Sequence, residues 1–130
     1  MRRVAGVTEF TIHLANRPGM LATLTERLAD AGVNIEALAA FGVGEVGIVR
    51  VIVDDANATR SVLRGAGTGF EERGVLTEML PHEPGAMAEM TRRMADAGVN
   101  IDALYLLRSS AEGLEFAVAL ADDPARAAAS

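Results

Sequence analysis

Apolar and polar residues alternate from Val7 to Leu14, with Phe10, Ile12 and Leu14 on one side and Glu9, Thr11 and His13 on the other. A period of two predicts a strand with one buried face. Leu21, Leu24, Leu28 and Ala31 then recur at helical spacing, forming one apolar stripe. Pro18 suits the first turn of that helix, where its missing N–H costs nothing. Asn16 or Arg17 is expected at or near its cap, and Gly32 at its end as a left-handed cap. A second strand is predicted from about Asn34 to Phe41. A turn with Gly42 and Gly44 leads into Val46–Val53, apolar at nearly every position and so suited to a central strand. Asp54 and Asp55 precede a helix from about Ala56 to Arg64, a position explained by capping and the helix dipole. Three glycines then break the chain before a fourth strand at Phe70–Arg73.

The pattern then repeats. Residues 18–38 and 84–104 match at 14 of 21 positions with a constant offset of 66. Leu21, Leu24 and Leu28 become Met87, Met90 and Met94, which reads as the same core stripe. The second copy runs through Val75–Leu80, Gly85–Ala97, Asn100–Arg108 and Gly113–Leu120, then Asp123–Ala129. The expected organisation is two domains, residues 1–73 and 74–130. The second lacks its last strand, which leaves a sheet edge that something must cover. Small units bury little surface alone, so the copies are expected to pack as a pseudo-dimer, and the chain to form a homodimer.

Composition narrows the chemistry. The chain has no Cys and two His among 130 residues, against a disulfide framework, a thiolate nucleophile or a zinc site. No metal or cofactor is expected. A net charge of −6 argues against a nucleic-acid partner. No apolar stretch approaches the ~20 residues that span a bilayer, and Met1-Arg2-Arg3-Val4 does not read as a signal peptide. A cytoplasmic protein is expected. No catalytic constellation, P-loop or dinucleotide fingerprint is present, so the protein is not expected to be an enzyme.

The repeated pattern Asn16-Arg17-Pro18-Gly19-x-Leu21, a helix ending at Ala31-Gly32, and Val33-Asn34-Ile35 resembles the ACT domain family across essentially the whole chain. Similar modules occur in the regulatory subunit of acetolactate synthase and at the end of phosphoglycerate dehydrogenase. The resemblance implies an α+β fold of two tandem ferredoxin-like βαββαβ units with antiparallel sheets. It also implies a regulatory protein that binds an amino acid or related metabolite at an interface between modules. The alternative is a regulatory subunit of an amino-acid biosynthetic enzyme, with that enzyme as partner and weak or vestigial ligand binding. By the resemblance, the ligand-binding candidates are Asn16, Arg17, Pro18, Gly19, Met20, Leu21, Asn34 and Ile35, with His82, Gly85 and Asn100 in the second copy. In serine-binding modules of this kind, residues matching Asn16 and Asn34 hold the ligand. A His two residues before the first Asn assists, and here Leu14 takes its place.

The residue chemistry agrees with an amino-acid ligand. A helix N-terminus attracts a carboxylate. Gly19 allows close approach to the backbone. An Asn amide both donates and accepts. Asn34 and Asn100 serve equally well as turn residues after Gly32 and Gly98. His13 reads as solvated or at an interface. Glu78 matches Ile12, a core position, and implies either a bulge or a residue facing a module interface. His82 and Glu83 replace Asn16 and Arg17 in the second copy. Glu83 repels a carboxylate, which makes residues 16–21 the better anion site. Glu83→Arg is therefore expected to raise ligand stoichiometry or affinity, measured by calorimetry.

Overall fold

The computed structural model describes residues 3–121. The elements are β1 (Arg3–Ala15), α1 (Met20–Asp30), β2 (Ile35–Val43), β3 (Val46–Val53), α2 (Ala56–Gly65), β4 (Phe70–Leu80), α3 (Ala86–Asp96), β5 (Ile101–Ser110) and β6 (Gly113–Leu120). The chain is α+β, and the pairs β1–β3, β2–β3, β4–β6 and β5–β6 are antiparallel. It divides into two compact units, Thr8–Arg73 and Gly74 onward with the start of β1 up to Val7. The fourth strand of one copy and the first of the next are a single run, β4, with Gly74 inside it.

In the unit Thr8–Arg73 the strand order is β2-β3-β1-β4. Register places Phe10 opposite Val51 and Ile12 opposite Val49. These four side chains are buried beneath Leu24 and Leu28 of α1 and Leu63 of α2. Phe70, at the head of β4, stacks its ring 5.9 Å from that of Phe10. α1 begins two residues later than expected, because Gly19 rather than Asn16 or Arg17 occupies the cap. Its φ of 89° is left-handed, a conformation that disfavours any side chain with a Cβ. The helix ends as expected at left-handed Gly32, with Val33 N–H bonded to the Leu28 carbonyl and Gly32 N–H to that of Ala29. Asp55 caps α2 by accepting from Ala58 N–H. Asp54 instead accepts from the backbone N–H of Asn34. Arg60 of α2 forks onto both carboxylate oxygens of Glu72 at 2.7 Å. Those hydrogen bonds hold the Glu72 carboxyl below its ordinary range.

Two expectations are corrected here. The outer side of β1 is not simply solvated: Glu9 and Thr11 are buried. Glu9 accepts from Arg50 Nη1 at 2.9 Å, the partner that a buried carboxylate requires. Leu21 belongs to the helical stripe by spacing yet stands 39% exposed, so it is not a core residue.

The other unit carries the strands β1, β4, β6 and β5 in that order. The edge predicted to lack a strand is filled, because β1 lies beside β4 and its beginning groups with this unit. The expected last helix, Asp123–Ala129, lies outside the described residues. Met90 and Met94 are fully buried with Leu76, Leu80 and Val118, so the Met stripe is core. Glu78 sits in the strand without a bulge. Its pairing with Phe116 is in regular register, and Arg93 of α3 donates to its carboxylate. Arg93→Ala removes a charged partner from a fully buried carboxylate and is expected to be destabilising, by up to about 3–5 kcal/mol. Glu78→Ile restores the apolar residue of the first copy and is expected to cost far less, both by urea unfolding.

Candidate functional site

The loop after β1 is folded back onto the β2–β3 hairpin. Asn16 N–H donates to the Glu45 carbonyl at 2.8 Å, and Asn16 Nδ2 to the Gly44 carbonyl at 2.9 Å. Gly44 has a left-handed φ of 62°, so the hairpin turn and the Asn16 amide fix each other. Gly42 lies directly under that amide, and a Cβ there would collide with it. Oδ1 of Asn16 is left to accept from a ligand.

Around this loop is a cleft of about 200 Å³ whose lining includes Asn16, Arg17, Met20, Leu21, Phe41 and Gly47. Leu14, Ala40, Ile48 and Val49 complete an apolar wall. Arg17 is exposed, and among the described residues its guanidinium has no protein partner. It stands just before the start of α1, whose cap residue offers no side-chain acceptor to the first turn. A cation beside a helix N-terminus is electrostatically unfavourable by about 0.3–1 kcal/mol. An anion between Arg17 and the first-turn N–H groups reverses that sign. The arrangement therefore suits a carboxylate with an apolar body behind it.

Of the residues singled out by sequence, Asn16, Arg17, Met20 and Leu21 come together in this cleft. Pro18 and Gly19 form the turn that aims it without lining it. Asn34 and Ile35 follow the far end of α1, about 16 Å away for eleven residues at 1.5 Å each. The Asn34 backbone is engaged with Asp54, and Ile35 packs against the core. Sequence reasoning missed Gly42 and Gly47, while Phe41 belongs to the stretch Leu38–Phe41 in which the sequence places a specificity pocket. The only available signal was the glycine pair flanking the predicted turn.

In the other unit, Gly85 repeats the left-handed cap with a φ of 87° and borders a cleft with Glu83 and Glu89. His82 is exposed in the preceding loop. Asn100 is exposed, and its carbonyl accepts from Ala121 N–H. Two carboxylates at this helix start complement its dipole with protein charge.

Comparison with known proteins gives the following. The ACT domain family model matches residues 8–64. A crystal structure of a protein from Bacteroides thetaiotaomicron superposes with a TM-score of 0.80 at 25% identity, covering 89% of this chain and 80% of that one. The ligand-free regulatory subunit of aspartate kinase from Thermus thermophilus matches with a TM-score of 0.70 at 17% identity, over 98% of this chain and 90% of that one. A putative C-terminal regulatory domain of aspartate kinase from Porphyromonas gingivalis matches with a TM-score of 0.66 at 12% identity, over 98% and 91%. No curated protein matches the chain.

Gly42→Ala tests the geometry of the loop. The backbone there tolerates alanine, but the new Cβ must displace the Asn16 amide from Gly44. The expected result is a shifted Asn16 side-chain amide resonance, with Tm lowered only slightly, as for the loss of one exposed hydrogen bond of about 1 kcal/mol.

Proposed function

From the premise that residues 8–64 are an ACT domain, we propose that this chain is a regulatory protein, not an enzyme, that senses an amino acid. The ligand lies in the cleft at the start of α1. Its carboxylate meets Arg17 and the first helical turn, its ammonium meets Asn16 Oδ1, and its side chain lies against Leu14, Ala40, Ile48 and Met20. The observation that carries this reading is an arginine with no partner among the described residues beside a helix start without a side-chain cap, both on one cleft with an apolar wall. That lining favours an aliphatic amino acid. The matching cleft in the second copy is flanked by Glu83 and Glu89 and is the weaker anion site. The Asn34 and Asn100 side chains, exposed and remote from these clefts, remain candidates for contact with a ligand held against another module.

A second reading has a specific observation behind it. Phe41, Val43 and Val46 are 49%, 63% and 47% exposed around the β2–β3 turn. Such a ridge suits a partner surface. In that reading the chain is a subunit of an amino-acid biosynthetic enzyme, and ligand binding is secondary. A homodimer is compatible with either reading.

A thermal-shift screen against the twenty amino acids, followed by calorimetry, tests the proposal. A ligand present at ~100 times its Kd adds about 2.7 kcal/mol to the folded state. An aliphatic amino acid is expected to raise Tm, and Arg17→Glu to abolish the rise while leaving the unliganded Tm nearly unchanged. A flat response to all twenty overturns the sensing role.

A further inference from the structure

The two copies put an arginine at the same place near the end of their long helices, Arg27 in α1 and Arg93 in α3. In the second copy Arg93 donates from Nη2 to Oε1 of the fully buried Glu78. The residue matching Glu78 in the first copy is Ile12, also fully buried. Arg27 therefore keeps the helical position without the carboxylate. Among the described residues its guanidinium makes no hydrogen bond or ion pair. Asp30, one turn further along, borders a shallow cleft with it but does not bond to it.

Arg27 borders a second, deeper cleft of about 310 Å³ between α1 and α2. Its walls are Leu24, Val62 and Leu63, with the hydroxyl residues Thr23 and Thr68. That volume is at the lower end of ligand cavities, ~300–1,000 Å³. We propose that this cleft binds a short-chain aliphatic carboxylate. The acid group pairs with the exposed Arg27 guanidinium at the rim of the cleft, since the buried place of Glu78 is filled here by Ile12, and the hydrocarbon tail lies on Leu24 and Leu63. For an ammonium the lining offers only the Thr23 and Thr68 hydroxyls, where the other cleft offers the Asn16 amide oxygen, and the ligand class proposed is a simple or 2-oxo acid. Leu14 and Met20 line both this cleft and the one at the start of α1. Filling either one bears on the shared wall of the other.

Methyl NMR titration of the full chain with hexanoate, hexanamide and hexan-1-ol tests the assignment. Hexanoate is expected to move the methyl signals of Leu24, Val62 and Leu63, and to bind about tenfold or more tighter than the neutral analogues, as a charged hydrogen bond requires. Arg27→Gln is expected to remove that advantage. Ile12→Glu, which builds the second copy's acid opposite Arg27, is expected to remove it too, and if that core variant fails to fold, Arg27→Gln decides alone. Equal binding of acid and amide, an Arg27→Gln chain that binds hexanoate as before, or shifts confined to Ile48 and Ala40 in the other cleft would each overturn the proposal. Arg17→Glu leaves hexanoate binding intact under this proposal, so its failure is distinguishable from failure of the amino-acid reading.

Discussion

The pairing of β1 with β3 in one register sets everything else in the first unit. It brings Phe10 and Ile12 level with Val51 and Val49, giving α1 and α2 a single apolar surface to cover. A slip of one residue would exchange Phe10 and Ile12 for Glu9 and Thr11. Glu9 would then lose Arg50 as a partner, and a buried carboxylate without one is expensive. The register also decides where β1 stops. Ala15 lies opposite Val46, at the start of β3, so the loop that follows is delivered to the hairpin turn. Asn16 can then tie it to Gly44. The cleft is thus a consequence of core packing carried to the end of the strand.

The duplication makes the molecule its own control. The left-handed glycines that flank the long helices, Gly19 with Gly85 and Gly32 with Gly98, agree between the copies because they solve the same backbone problem, whereas left-handed Gly44 of the first hairpin turn is matched by Ser110. Side chains at the helix starts and beneath the helices differ because they solve different electrostatic ones. Arg17 corresponds to Glu83 in the repeat, and Ile12 to Glu78. In the second copy, carboxylates belonging to the protein complement its helix start and its arginine. In the first copy, among the described residues, Arg17 and Arg27 have no carboxylate partner.

Much of this was legible in the sequence. The repeat, the strand at Val7–Leu14, both long helices and the Gly32 and Gly98 ends follow from periodicity and glycine placement. The glycine before each long helix was read as open space for a ligand, whereas its left-handed φ makes it the turn itself. Alternation marked Glu9 as outward because pattern alone cannot see Arg50 arriving from another strand. Glu78 looked anomalous for the same reason: its partner stands fifteen residues away on a helix. Asn16 was singled out for ligand contact, and the structure gives it a fastening role first. Gly42 and Gly47, which shape its surroundings, carry no side-chain polar group and so no chemical signal.

The beginning of β1 lies with strands that occur only after the whole first unit. During synthesis those first residues leave the ribosome early and wait for β4 before their sheet can close. Pairing of strands so far apart in the sequence is slow to close. A cut between the two copies would therefore not yield two independent halves. One fragment would keep a strand end it cannot use, and the other would expose the edge of β4. Although the gene reads as one unit copied head to tail, the folded polypeptide is stitched from its first residues to its later ones.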